Sequence, residues 1–126
     1  MGNIGYFEIQ VDNFQRAQKF YSAVFGWDIK RAENFPIEYY MIYSQDKGKM
    51  GLSLGGMLKR DKPLAENNGI SAYVCHVLVE NIDDAIAKIT SSGGKLISDK
   101  QHIPAGWFAY ALDTEGNTFG IWQMEQ

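Results

Sequence analysis

Glu8 and His76 are the two side chains of this sequence whose types and spacing suggest chemistry. A carboxylate and an imidazole can exchange protons with a substrate near neutral pH, and both can ligate a divalent metal. Three interpretations are open. The pair could be buried polar groups that hydrogen-bond each other or nearby backbone, groups that transfer protons or hydrogen-bond a substrate, or half of a displaced metal site. The interpretation as buried polar groups is favoured, because polar side chains inside a protein usually form hydrogen bonds with other protein groups.

An internal repeat relates these two residues, which stand 68 positions apart. The same shift matches identical residues over roughly fifty positions without a gap, as expected for two copies of one structural unit. Glu8 and His76 therefore hold equivalent positions in the two copies. The identical pairs are Val11 and Val79, Asn13 and Asn81, Ala17 and Ala85, Gly26 and Gly94, Ile29 and Ile97, and Gly48 and Gly116.

Each copy has the pattern of a strand, a helix and three further strands. In the first copy, the strand Tyr6–Val11 leads to Asn13, a residue type that caps helices, and the helix from Phe14 ends at Gly26. The other strands predicted for this copy are Trp27–Lys30, Tyr39–Ser44 and Lys49–Leu54, with a hairpin turn at Gln45–Gly48. The second copy is predicted to have strands at Tyr73–Val79, Lys95–Ser98, Trp107–Leu112 and Asn117–Gln123, and a helix capped by Asn81.

These elements predict one α+β domain over residues 1–126, built from two βαβββ modules. Module one spans residues 4–57, a polar linker spans 58–70 and module two spans 71–124. A single module would leave one face of its sheet uncovered, so two must join, within one chain or by exchange between two chains. His102 falls in a predicted loop before Pro104 and is expected at the surface.

Composition argues against several classes of partner. The net charge is −3, with 12 basic and 15 acidic residues mixed along the chain, so no basic stripe favours nucleic acid. No apolar run approaches the ~20 residues that span a bilayer, and no signal peptide is recognisable, so no membrane partner is expected. The lone Cys75 cannot form an internal disulfide, which fits a reducing cytoplasm.

Two segments resemble the vicinal oxygen chelate superfamily, which includes glyoxalase I, extradiol dioxygenases and bleomycin-resistance proteins. Val11–Tyr21, followed by Val24–Trp27, is similar to the first helix of that superfamily. Asp113–Asn117 is similar to its late acidic turn, with Thr114 in place of the usual proline. Gly55–Met57 resembles a branch of small bacterial glyoxalase-related proteins. The resemblance implies two modules whose sheets curve around a cleft, and it implies a homodimer.

In the metal-dependent members of that superfamily, a divalent ion is bound by His, Glu or Gln at four equivalent strand positions. The resemblance, together with the shift of 68, places these positions at Tyr6, Leu52, Val74 and Gly120. Alkyl side chains and glycine offer no donor atom, and a neutral phenol is a poor ligand. The sequence therefore predicts that the usual metal site is absent, and it predicts no cofactor.

The predicted cleft face is mostly apolar and aromatic, which suits a small organic ligand. Side chains two apart on a strand share a face, so Glu8 lies beside Tyr6 and His76 beside Val74. The predicted function is binding of a small molecule without the usual metal. The alternative is an enzyme, a lyase, isomerase or dioxygenase related to lactoylglutathione lyase, with relocated metal ligands or acid/base catalysis. The candidate catalytic residues are Glu8 and His76, and the candidate ligand-binding residues are Tyr6, Gln10, Leu52, Leu54, Val74 and Trp122.

Overall fold

The computed structural model describes residues 6–45, 53–61 and 74–126. The chain divides into two compact units, residues 1–62 and 63–126, each with one helix packed on one sheet. The first unit contains β1 (Phe7–Val11), α1 (Phe14–Phe25), β2 (Asp28–Arg31), β3 (Tyr39–Tyr43) and β4 (Gly55–Lys59). The second contains β5 (His76–Leu78), α2 (Ile82–Ser91), β6 (Lys95–Leu96), β7 (Gln101–Ile103), β8 (Gly106–Leu112) and β9 (Thr118–Met124). The predicted α+β class is confirmed.

The sheet of the first unit has the strand order β1-β4-β3-β2, with β1 parallel to β4 and the other pairs antiparallel. Asn13 begins α1 as predicted, since its side chain accepts a hydrogen bond from the Arg16 amide at 2.9 Å. Gly26 ends the helix with φ 70°, a left-handed conformation that costs glycine little. Helix and sheet bury a common core between them, formed by Val11, Phe14, Ala17, Phe20, Tyr21, Val24, Ile29, Ile42 and Met57.

The sheet of the second unit has the strand order β5-β9-β8-β6, and β7 also pairs with β8. The strands β6 and β7 pair with successive parts of β8, so together they form one interrupted edge. The sequence missed β7: His102 lies in this strand and not in a loop, although it is exposed as expected. Helix α2 begins at a double cap, because Asn81 accepts from the Asp84 amide at 2.9 Å and Gln123 from the Ile82 amide at 2.8 Å.

The fourth strand of the first unit departs from the uniform shift of 68. It occupies Gly55–Lys59 and not the predicted Lys49–Leu54. Ser53 and Leu54 precede the strand. Residues 49–52 lie outside the described residues, as does most of the predicted Gln45–Gly48 turn. The connection before β4 is longer than its counterpart before β9, residues 44–54 against 113–117, and this displaces the strand along the sequence.

Strand pairing shows the resulting correspondence. Glu8 pairs with Gly56 in the first unit, and His76 pairs with Gly120 in the second. The structural counterpart of Gly120 is therefore Gly56, four positions beyond Leu52. Within the described residues, no helix is long and apolar enough to cross a membrane.

Candidate functional site

The first sheet has one face covered by α1 and an opposite face, called here the first open face. From Tyr6, which directly precedes β1, through the strand itself, the side chains alternate between the two faces. Tyr6, Glu8 and Gln10 are exposed, while Phe7 and Ile9 are less so. The interpretation of Glu8 as a buried polar group is wrong, since its side chain lies on this exposed face. Leu54 is also exposed, at 39%, just before β4.

Glu8 ends a chain of three hydrogen-bonded side chains on the first open face. The Tyr39 hydroxyl donates to Glu8 Oε2 at 2.9 Å, and the hydroxyls of Tyr6 and Tyr39 lie 2.9 Å apart. A phenol has one proton to donate, so Tyr6 is the donor to Tyr39 when Tyr39 donates to Glu8. The chain therefore runs from Tyr6 through Tyr39 to the carboxylate, and it fixes Glu8 on the sheet.

The absence of a side chain at Gly56 leaves space for the Tyr39 ring in this hydrogen-bonded series. Gly56 faces Glu8 across the β1–β4 pair, and a β-carbon on it would overlap the hydroxyl and ring carbons of Tyr39. Tyr39 itself is 4% exposed and packs edge to face against Phe35, with ring centroids 4.7 Å apart. The phenol is thus enclosed, and only a glycine opposite Glu8 leaves space for it.

Burial, followed by the hydrogen bonds with Tyr6 and Glu8, raises the pKa of Tyr39 above that of an ordinary phenol. Each effect favours the neutral form, because the ionised form would be poorly solvated and could not donate to the carboxylate. Tyr39 therefore stays a hydrogen-bond donor through the physiological pH range.

We expect the raised pKa of Tyr39 to make stability fall in alkali. An unfolded tyrosine titrates near pH ~10, so the contribution of Tyr39 is complete below that pH and is lost as the pH rises toward its higher folded-state value. The slope is about 1.4 kcal/mol per pH unit for one proton. Urea unfolding between about pH 8 and pH 11 measures it. Tyr39→Phe should flatten the slope while Tyr43→Phe leaves it intact; equal slopes in the two variants would contradict the assignment.

The second sheet also has an open face, opposite α2. His76 lies there, exposed, directly over Gly120, where a β-carbon would overlap the imidazole ring. The ring packs edge to face against Tyr110 and Phe108, with centroid distances of 5.3 and 6.4 Å. Like Glu8, His76 is not buried, so the buried-polar interpretation is wrong for both. Within the described part of the chain, its ring nitrogens make no hydrogen bond to protein.

Two further predicted ligand-binding residues belong to the second unit. Val74 is partly exposed just before β5. Trp122 follows Gly120 by two positions on β9, which puts both residues on the same face, and its indole Nε1 donates to the Ala105 carbonyl at 3.0 Å. His102 lies apart from this group: its Nε2 is 2.5 Å from Glu125 Oε2, and both side chains are about half exposed.

The sequence matches the family model of the Glyoxalase/Bleomycin resistance protein/Dioxygenase superfamily over residues 3–121. The chain belongs to this superfamily. The resemblance in the first helix and in the late acidic turn is thereby confirmed. A glyoxylase-like domain-containing protein of Didymella fabae is 30% identical over 127 residues, covering 95% of this chain and 92% of that protein.

Solved structures of the glyoxalase superfamily share the fold. A glyoxalase/bleomycin resistance protein/dioxygenase family enzyme from Burkholderia phytofirmans PsJN has a TM-score of 0.69 at 21% identity, covering 96% of this chain and 98% of that one. An antibiotic binding protein from Streptomyces sp. CB03234 has a TM-score of 0.69 at 15% identity, covering 99% and 98%. At these identities the likeness shows the fold alone.

The residues of this superfamily member do not fit the divalent ion of its metal-dependent relatives. Tyr6 engages its hydroxyl with Tyr39, Val74 has no donor atom, and the space beside Gly120 is taken by the His76 ring. Leu52 lies outside the described residues, and Gly56, which takes the matching place by strand pairing, has no side chain either. In residues 6–45, 53–61 and 74–126, no three His, Cys, Asp or Glu side chains are grouped as metal ligands.

Sequence reasoning did not predict the contacts that support Glu8 and His76. Tyr39, Phe108 and Tyr110 reach them from neighbouring strands, and the register of those strands is not encoded locally. A signal was available in Gly56, the second residue of a glycine doublet, because a glycine within a strand often marks a close approach by another group. Gly120 carried the same signal.

Proposed function

We propose that this chain binds a small, partly aromatic organic molecule on its open sheet faces, without the divalent metal used by metal-dependent members of the superfamily. One observation carries the proposal. The two positions that pair with Glu8 and His76, and that could present a metal-binding carboxylate, are the glycines Gly56 and Gly120. The side chains of Tyr39 and His76 fill the space beside them. The faces are left with aromatic rings and a few polar groups, a composition typical of sites for organic ligands.

The polar groups on these faces are suited to selecting a ligand. Glu8 is held by Tyr39, while His76 is exposed among aromatic rings and can donate or accept a hydrogen bond. Tyr6, Gln10, Leu54, Val74 and Trp122 are proposed to contribute contact surface, and Leu52 is proposed with them from the sequence. An antibiotic binding protein with the same fold supports this class of function.

A thermal-shift screen of a chemically broad compound set tests the proposal. Ligands should raise the melting temperature equally in the presence and absence of a chelator, because binding the native state stabilises it by mass action. Double replacement of Glu8 by Gln and His76 by Ala should reduce the shifts, whereas Glu33→Gln, a neutralised carboxylate elsewhere on the first unit, should not. A screen without hits, or hits that disappear with chelator, would refute metal-free binding.

A second candidate function is catalysis, favoured by the free ring nitrogens of His76 among the described residues. In one version, a lyase, isomerase or dioxygenase of the superfamily uses relocated metal ligands; in the other, Glu8 and His76 are the acid and the base of a metal-free reaction. Elemental analysis of protein purified without chelators separates the two: stoichiometric Ni, Zn, Mn or Fe supports the metal version. In the metal-free version, turnover of an identified substrate is lost in Glu8→Gln and His76→Ala with the fold preserved.

We further propose that the protein is a cytoplasmic homodimer. The dimer is the expectation from the superfamily, and the lone Cys75 suits a reducing compartment. Sedimentation velocity over a range of protein concentrations tests the assembly.

A further inference from the structure

Glu8 is an exposed carboxylate without a cationic partner among the described residues. Glu8 lies in a cross-strand row with Gly56, Met41 and Lys30. Lys30 is the cationic residue of this row, and it lies three strands from Glu8, roughly 14 Å at the usual strand spacing. Lys30 is itself paired with Asp28, at 3.3 Å. The first open face therefore carries a negative charge that the neighbouring sheet does not neutralise.

The cations at the far end of β1 are also engaged elsewhere. Arg60 Nε lies 3.3 Å from Asp12 Oδ1, and Lys59 Nζ donates to the Asp12 carbonyl at 2.7 Å. Neither side chain pairs with Glu8 in the structure. Within residues 6–45, 53–61 and 74–126, an arriving cation would thus meet a carboxylate that has no competing ion pair to break.

The surroundings of this carboxylate are aromatic. Tyr6 is 42% exposed and Phe35 45% exposed, and both contact Tyr39, the hydrogen-bond donor to Glu8. The faces of aromatic rings attract cations and stack on other rings. Tyr39 stays neutral and occupies one carboxylate oxygen, which leaves the other for a ligand.

We infer that the first open face binds the protonated amine of an aromatic molecule, with the ammonium group on Glu8 and the ring against Tyr6. The inference rests on the proposed small-molecule function and names its ligand class. A charge-assisted hydrogen bond to a fixed carboxylate supplies the selectivity, and the exposed aromatic surface supplies contact area. Neutral and anionic molecules of the same shape lack the first of these contributions.

Three indole compounds that differ mainly in charge test the inference: tryptamine, N-acetyltryptamine and indole-3-propionate. Their dissociation constants are measured with the full chain by ligand-observed NMR and calorimetry. Tryptamine should bind roughly tenfold more tightly than its acetylated form, the difference expected for one charge-assisted hydrogen bond, and the anion should bind most weakly. Added salt should weaken tryptamine binding and leave N-acetyltryptamine unaffected.

Glu8→Gln is the decisive variant, because it keeps an acceptor for Tyr39 and removes the charge. It should equalise tryptamine and N-acetyltryptamine, whereas Glu33→Gln should retain the preference. Equal binding of all three compounds to the wild type, a preference for the anion, or a preference that survives Glu8→Gln would each overturn the inference. So would failure of all three to bind while other compounds in the broad screen succeed, a result that leaves the proposed function standing.

A second copy of the chain could compete for the same face. In that case the apparent affinity for tryptamine would fall as the protein concentration rises, and the inference of a free amine site would be overturned. An affinity independent of protein concentration supports it.

Discussion

Gly106→Ala is expected to destabilise the second unit by about 4 kcal/mol, from backbone strain of roughly 1–3 kcal/mol and steric overlap of similar size. Gly106 has φ 134°, a conformation that L side chains rarely adopt. A methyl group there would also overlap the backbone of β9, at the Gln123 carbonyl, and come close to the Glu125 amide. Because Gly106 pairs with Met124, that backbone cannot move aside without disturbing the β8–β9 ladder.

Gly93→Ala is the matched control for this prediction. Gly93 has a similar positive φ of 95°, but among the residues that the structure describes, a methyl group there would meet only the Thr114 Cγ2 methyl, at 3.2 Å. Its cost should be about 1–2 kcal/mol, chiefly backbone strain, because the tight contact involves one side-chain methyl and no backbone atom. Urea unfolding followed by circular dichroism measures both variants. Equal losses would show that the contact with β9 contributes nothing.

Features determined by neighbouring residues could be predicted from the sequence. Asn13 and Asn81 begin the two helices as predicted, because a cap satisfies amide groups only two or three residues away. Gly26 ends the first helix for a similarly local reason. The internal repeat then predicted the same succession along the chain in both copies, a strand, a helix and three further strands.

Features that depend on distant pairing could not be predicted. A uniform shift of 68 residues places the fourth strand before Gly55, because it does not account for a longer connection between β3 and β4. Strand β7 is only three residues long and exists through its pairing with β8, so the local sequence around His102 predicts a loop. The hydrogen bond from Tyr39 to Glu8 joins residues 31 positions apart, and no local pattern encodes it.

Gly56→Ala is expected to destabilise the first unit by about 2–4 kcal/mol, through overlap with a buried ring and the loss of a hydrogen bond to a charged group. The added methyl would occupy the space of the Tyr39 hydroxyl, and the buried Tyr39 side chain can give way only by disturbing the packing around it. Its displacement releases Glu8. In this variant, stability should therefore fall less steeply in alkali than in the wild type, and the preference for tryptamine should be smaller.

Gly120→Ala distinguishes this mechanism from a general intolerance of side chains at these positions. Its methyl would meet the His76 ring, which is exposed and can swing toward solvent, so the cost should be about 1 kcal/mol or less. A double-mutant cycle between Gly56→Ala and Tyr39→Ala isolates the contact in the first unit, and it should show strong coupling because the second change removes the overlapping ring. Additive losses in that cycle, or equal losses for the two glycines, would mean that Gly56 does not position Glu8 through Tyr39. Strong coupling would mean that the glycine opposite Glu8 sets the geometry of the carboxylate that we propose as the ligand-selecting group.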